Sequence, residues 1–579
     1  MKMNLNKKIA TLFTLGAIAV STWSCKKMLD VPTEDKLDAV NTYKNVTDAN
    51  AAVIGIYGQF MELQKLYIIQ NELRSDLIDV TANASTHLKD ISNHNPTKDN
   101  PYVDPKPYYK VILNCNDALK NFKMMLDNNR MSLDDYNKHY SDIGALRSWI
   151  YLQLGIQYGN IPYVTEAYQT VGELESLAKH PKIPFNELLD KLIEFTESLP
   201  YQEVYAYPTG SPLLVNIDGN STQKFFVCKP FLLGDLYLWK GNYFKAAENF
   251  AKVMNAENNN SNVNIVFNYY RVNNWNVDAN TGILVIYSRS QDETSLVNTP
   301  DAGWRAMFGL PTTNSAWNSE WLWALPYSTS FKPINPMIKL CSATGDYQIR
   351  PSQAAIDNWE NERQTNGIPY DARGRLSYSR SVLGNVITKF TDNGGKWGLY
   401  RAGLLHLRYS EAANRDGQTR IGWALLNIGI KDTYYSGTLN SAGGQTPVSV
   451  AELNTMITPF AQGSPYYFDA RYVQGAGGTT SPWFRNSGIR RRAGLIPLNV
   501  SFQTNMLGLE ERLIDEAALE TAFEGNRWPD LMRVALRRND PAFLADRIHQ
   551  KLVKSGNPNA ASVRQKLMDP ANWYLPFEW

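Results

Sequence analysis

The chain is short of several things, and each shortage removes a class of function. Its 579 residues include four cysteines, Cys25, Cys115, Cys228 and Cys341, far apart and without a CxxC pair. A disulfide framework needs a dense, even set, so the last three are expected to be small buried hydrophobes, with one bridging pair left open. Histidine numbers six, and none falls in HExxH or another metal-ligand spacing, so neither a metal nor another cofactor is expected. His87 and His94 lie seven apart in a polar stretch and read as solvated. GxSxG is missing, so a nucleophile elbow has no support. Gly475–Thr480 lacks the Lys of a phosphate loop and reads as a flexible turn. No apolar run of 18 or more residues follows the N-terminus, which excludes a body that crosses a bilayer as helices. An excess of either charge is also missing: 58 basic against 56 acidic residues give +2. That balance excludes a generally basic nucleic-acid binder, and Arg490-Arg491-Arg492 reads as a solvated or interface face.

What is present is a helical, aromatic-rich body behind an address. Hydrophobic residues make up 43% and charged residues 20%, a globular composition, with 15 Trp, 32 Tyr and 21 Phe. Lys2, Lys7 and Lys8 precede the short apolar stretch 9–20, and Ser21-Thr22-Trp23-Ser24 leads to Cys25. This pattern reads as a secretory signal peptide over residues 1–24, too short for an anchor. The Cys after small residues resembles a bacterial lipobox, in which Cys25 becomes the first mature residue and carries acyl chains such as palmitate. Loss of residues 1–24 removes three Lys and leaves 55 basic and 56 acidic residues, net −1. The membrane tie is therefore the acyl chains and not a basic patch.

Residues 229–254 read KPFLLGDLYLWKGNYFKAAENFAKVM. Leu233-Gly234, Tyr237, Ala246 and Phe250 match the tetratricopeptide spacing, with Gly241-Asn242 as the turn. A looser copy starts at Ile143 with Leu154-Gly155, Tyr158 and Ala167, its second half interrupted by Pro162. A third spans 404–430, where Ala412 and Ala424 repeat the step around Arg415-Asp416-Gly417. Helical patterns also cover 48–69, 108–126 and 184–199. The expected fold is mainly α, a tetratricopeptide-like superhelix of helix pairs with few short strands. Between the pairs, residues 201–223 and 257–398 are rich in Asn, Gly, Ser, Pro and Trp, with Ile283–Tyr287 a strand candidate. The expected organisation is an N-terminal helical region, 25–255, and a C-terminal region, 256–579. The latter holds a loop-rich insert at about 256–400, where binding is expected.

The C-terminal stretch 509–533 reads LEERLIDEAALETAFEGNRWPDLMR. Glu516, Glu520, Ala522, Phe523, Glu524, Gly525, Arg527, Trp528, Asp530, Leu531 and Arg533 resemble the ExxxELAFEGxRWxDLxR segment of the SusD/RagB family of Bacteroidetes outer-membrane lipoproteins. Residues 48–60, 146–164, 370–375 (YDARGR), 407–417 and Tyr574-Leu575-Pro576 resemble further segments of that family. Read physically, the FEGNRW block is a core clamp: Glu524 and Arg527 are one turn apart and can pair, while Phe523 and Trp528 pack under neighbouring helices.

The resemblance implies an outer-membrane, outward-facing lipoprotein that binds oligosaccharide or polysaccharide. It implies delivery to a SusC-like TonB-dependent barrel in polysaccharide utilization, and no catalysis. A peptide-binding RagB-like role is the alternative, and a polymer-degrading enzyme a remote one. Sugar rings stack an apolar face on aromatic planes while their hydroxyls need donors and acceptors. The Trp-rich stretch 303–327 suits that chemistry through Trp304, Trp317, Trp321 and Trp323, with Arg305, Asn314 and Asn318 as polar partners. Core packing competes for each indole, since Trp317 and Trp321 would share a helix face and Trp321 and Trp323 a strand face. A second candidate surface, 74–109, offers Arg74, Asp76 and Tyr102 with Asn83, Asn93 and Tyr108. Trp275 with Asn273 and Asn274 reads as a plain loop.

Overall fold

The computed structural model describes residues 43–168, 180–217, 220–255, 304, 308, 320–390, 395–435, 449–471, 483–484 and 486–577. Ile283–Tyr287, Trp275 and the Gly475–Thr480 turn lie outside them. The helices form where apolar residues recur at helical spacing and a cap is at hand. α1 (Val46–Met61) opens on a capping box: the Asn45 side chain accepts from the Thr47 and Asp48 N–H groups, and the Asp48 carboxylate accepts from Asn45 N–H at 3.1 Å. α2 (Lys106–Asp127) and α3 (Leu133–Tyr158) follow, the latter capped by Ser132. α4 (Phe185–Glu197) buries Leu188, Leu189 and Leu192 along one face. α5 (Lys229–Lys240) and α6 (Tyr243–Met254) are joined at Gly241, in the left-handed region at φ +82°, and Asn242 caps α6.

Each helix packs on the next, α1 on α2, α2 on α3 and so on to α6. α6 then packs on α7 (Ala402–Arg415), and α7 on α8 (Thr419–Leu426). This serial contact is a superhelix of helix pairs, as the sequence predicts. Close approach comes from small residues: a Cβ on Gly234 would lie 2.3 Å from Phe250 Cε1. The copy beginning at Ile143 departs from expectation in its partner. Gly155 meets Phe185 of α4, while the stretch just after α3 forms a short strand, Ile161–Pro162.

Four helices close the molecule: α9 (Met506–Glu520), α10 (Arg527–Arg538), α11 (Ala542–Lys554) and α12 (Ala560–Leu567). α9 lies on α7 and α8. α10 returns to the N-terminal part and packs on a buried π-helical turn, Ile69–Leu73.

The described part of the insert holds short strands. β1 (Ile78–Val80) pairs antiparallel with β3 (Ile349–Pro351), with Ile78 opposite Pro351 and Val80 opposite Ile349. β2 (Trp321–Pro326) pairs antiparallel with β4 (Lys396–Arg401) through a bulged register, Trp397 opposite Leu325 and Tyr400 opposite Trp323. The β2–β4 ribbon is buried along its whole length because its rings fill the hollow of the superhelix. Trp323 stacks on Phe60 with centroids 5.6 Å apart, Trp397 stacks on the same ring at 4.7 Å, and Tyr400 stacks on Phe231 at 3.9 Å. Cys115, Cys228 and Cys341 are buried and free, so no pair bridges. Among the described residues no helix is long and apolar enough to cross a membrane.

Candidate functional site

The 516–533 block is an electrostatic clamp whose charges reach other elements. Glu520, fully buried, accepts from Arg373 Nη1 at 2.6 Å, Arg401 Nη1 at 2.7 Å and Arg492 Nη2 at 2.6 Å. Burial alone would favour the neutral acid, but Arg492, Arg401 and Arg373 outweigh it and hold this carboxyl well below the usual carboxylate range. Glu516 accepts from Arg373 and Arg490 at 2.7 and 2.8 Å, and Glu524 from Arg401 and Lys389 at 2.8 and 2.5 Å. Arg373 also holds Asp371 of the YDARGR segment at 2.6 Å, and Arg492 holds Glu320 at 2.8 Å. Further along, Asp530 accepts from Arg408 and Arg533, and Arg533 is bidentate on Glu411 at 2.9 and 2.6 Å.

Two expectations are corrected here. Glu524 and Arg527 do not pair with each other: Arg527 is bidentate on Asp76 at 2.7 and 2.8 Å. The turn 521–526 between α9 and α10 points the two side chains to different neighbours. The basic run 490–492 is not a solvated face, since Arg490 and Arg492 are buried in the clamp and only Arg491 is half-buried.

The turn itself explains FEGNRW. Phe523 and Gly525 have φ of +71° and +89°, and a Cβ on Gly525 would lie 2.0 Å from Tyr67 Cε1, so both conformation and space demand glycine. Glu72 Oε1 accepts from the N–H groups of Gly525, Asn526 and Arg527 at 2.7, 3.0 and 3.4 Å and so caps α10 from across the fold. Burial pushes the Glu72 carboxyl up to about 8, against the opposing pull of those N–H groups.

The early candidate surface is absorbed by this construction. Asp76 belongs to Arg527. Arg74 donates to Gln157 Oε1 at 2.7 Å and to the Trp573 carbonyl, and lies 4.0 Å over the Trp528 ring. Both are buried and present nothing to solvent. His94, expected to be solvated, is buried beside them, hydrogen-bonded to the Arg74 carbonyl at 2.8 Å; burial, with Arg74 and Lys551 adding to it, holds its imidazole well below the usual range. Tyr108 is buried on Gln70, whereas Tyr102 stays half-buried with Lys65 Nζ 5.3 Å from its ring.

The described indoles of the Trp-rich stretch are core. Trp304 is fully buried and donates to Ser377 Oγ at 3.0 Å; Trp321 is buried against Phe308; Trp323 donates to the Phe225 carbonyl at 2.8 Å. Their planes pack on protein, so these three do not form a solvent-facing arc. Trp317, Arg305, Asn314, Asn318 and Cys25 lie outside the described residues. Among the described residues no group of three or more His, Cys, Asp or Glu could hold a metal ion.

Sequence reasoning passed over one surface cavity of about 550 Å³, lined by Arg420, Tyr434, Asn454, Thr455, Ile457, Thr458, Pro459 and Phe460. Arg420 opens α8, Tyr434 ends the short helix Ile430–Tyr434, and Asn454 and Thr455 end the helix Val450–Thr455. Tyr434 and Phe460 are half-buried, and Arg420, Asn454 and Thr455 are exposed. The signal that could have found it was the tyrosine and phenylalanine content of 434–467, overshadowed by the tryptophans upstream.

Compared as a sequence, the chain matches no family model and no curated protein. Compared as a structure, it is similar to a SusD superfamily protein from Bacteroides vulgatus (13% identity, 92% of this chain and 96% of the other, TM-score 0.54). It is also similar to a SusD-like carbohydrate-binding protein from Bacteroides fragilis (14% identity, 88% of each chain, TM-score 0.52). A third is the surface glycan-binding protein A from Bacteroides uniformis (14% identity, 92% and 96%, TM-score 0.54). The likeness covers 88–92% of the chain, and the chain has the fold of the SusD superfamily.

Proposed function

We propose that the protein is an outer-membrane lipoprotein, acylated at Cys25, that binds oligosaccharide or polysaccharide at the cell surface and delivers it to a SusC-like TonB-dependent barrel. It binds and does not catalyse. The observation that carries this reading is the whole-length likeness to proteins described as SusD-like carbohydrate-binding and surface glycan-binding. The lipobox-like N-terminus and the 509–533 block support it. A rigid superhelix with an aromatic ribbon locked inside it gives a stiff platform for surface loops, which is what weak, solvent-open stacking needs. Trp317, Arg305, Asn314, Asn318 and half-buried Tyr102 are the proposed contacts.

The test is affinity electrophoresis and calorimetry of the chain against a panel of polysaccharides, with palmitate labelling in cells. Retention of at least one glycan, loss of that retention in Trp317→Ala, and loss of label in Cys25→Ala are expected. Retention of peptides and no glycan would replace this reading by the RagB-like one. New reducing ends that depend on one carboxylate would make the protein an enzyme.

A further inference from the structure

We infer that the cavity at Arg420, Tyr434 and Phe460 is a binding site for a carboxylate-bearing sugar, such as a uronic or sialic acid unit within a glycan. This deepens the glycan-binding reading and rests on it. The argument begins with charge. Arg420 donates from Nη2 to the Thr433 carbonyl at 2.9 Å and lies 4.3 Å over the Tyr434 ring, and no carboxylate among the described residues pairs with it. With one N–H given to Thr433, the guanidinium keeps further donors for an incoming anion.

The acids on the surrounding elements are already engaged. Asp432 is held by Arg491 and by Lys431 at 3.2 Å, and Asp469 by Arg471 at 2.6 Å. Glu452 is turned onto the Ser449 N–H at 2.8 Å in its own helix cap, and Asp416 accepts from Tyr466 Oη at 2.6 Å. The neighbouring stretches 436–448 and 472–482 contain no Asp or Glu. Among the residues that line the cavity, Arg420 is the one that carries a charge.

The rest of the lining fits a sugar. A guanidinium fork matches a planar carboxylate in two parallel hydrogen bonds, a geometry a point charge cannot supply. Stacking on Tyr434 and the bond to Thr433 hold the fork in place before any ligand arrives, which lowers the entropy lost on binding. Phe460, braced by Tyr466 at 5.6 Å, and Ile457 supply an apolar wall for the C–H face of a ring. Asn454 lines the cavity and is exposed, and its amide has no partner among the described residues, which leaves a donor and an acceptor for a ligand. Thr455 Oγ1 donates to the Glu452 carbonyl at 2.6 Å and keeps its lone pairs for a sugar hydroxyl. A volume of about 550 Å³ lies within the range of small-molecule sites, about 300–1,000 Å³.

The experiment is calorimetry of the full chain in detergent with trigalacturonic acid, 3′-sialyllactose, maltotriose and an acidic hexapeptide. Binding of at least one of the two acidic sugars is expected. Its affinity should fall at least ten-fold in Arg420→Ala, by less in Arg420→Lys, and measurably in Asn454→Ala. Affinity for any neutral glycan should be unchanged in all three. Arg420 and Asn454 are exposed, so unaltered melting curves are expected and serve as the folding control. Equal acidic-sugar binding by the wild type and Arg420→Ala, or Arg420-dependent binding of the peptide alone, overturns the proposal. Neutral glycans bound with acidic ones ignored overturns this proposal and leaves the general reading standing. Failure of every saccharide overturns both.

Discussion

Glu72 shows what one residue decides. It sits where three N–H groups of α10 converge, its Oε1 accepts from all three, and its Oε2 is buried without a partner. Its carboxyl rises from the ordinary 4.5 to about 8. Between those values the folded chain holds a proton that the unfolded chain has released, so this group's contribution to stability falls as pH rises. Glu72→Gln keeps the accepting oxygen and removes the titration. Its stability relative to wild type, followed by urea midpoints, should therefore rise between pH 5 and pH 9; a difference that stays flat with pH would refute the assignment. Trp323 makes the complementary case. Its ring is enclosed by Phe60, Trp149 and Tyr400, so Trp323→Ala should cost about 3–5 kcal/mol in chemical denaturation. Trp317→Ala, by contrast, is expected to change ligand retention and leave the denaturation midpoint in place.

Among the elements, the helix pair α5–α6 was the most legible, because every residue that makes it work is local. Gly234, Phe250, Gly241 and Ala246 sit within one stretch, and spacing alone assigns their roles. Gly234→Ala would drive a methyl into the Phe250 ring and should lower stability by about 1–3 kcal/mol. Gly55→Ala in α1 meets nothing within 4 Å and should raise it by about 0.5–1 kcal/mol, the ordinary helix-propensity gain. Opposite signs in thermal melts of the two variants check both statements. The pair α3–α4 was half legible: Gly155 marked a close contact, but its partner, Phe185, lies 30 positions on, beyond the reach of local periodicity. β2 was not legible as a strand, since helical and strand spacing both fitted its tryptophans, and Trp321 and Trp323 could not be told from a ligand arc, because the same indole serves either purpose until its neighbours are known.

At the scale of the whole molecule the chain closes on itself. Glu72 and Asp76 near one end hold Gly525–Arg527 near the other, and Lys551 donates to the Leu73 and Ile78 carbonyls at 2.9 and 3.3 Å. Removing one partner of a buried ion pair costs about 3–5 kcal/mol. Deleting 506–579 strips Asp76 and Arg373, Arg401 and Arg492 of partners at once. A chain ending at Asn505 should therefore lose its cooperative calorimetric transition, and a sharp transition at the wild-type temperature would contradict the closure described.

The amino-acid sequence by itself determined the helix pairs, their turns and the identity of the C-terminal block, since spacing, caps and small residues act over one or two turns of chain. Only the tertiary structure decided where charges meet. Arg373 finds Glu520, Arg527 finds Asp76, and Arg420 finds no carboxylate among the described residues. Pairing energies depend on distances through space between residues hundreds of positions apart, and no local pattern carries that information.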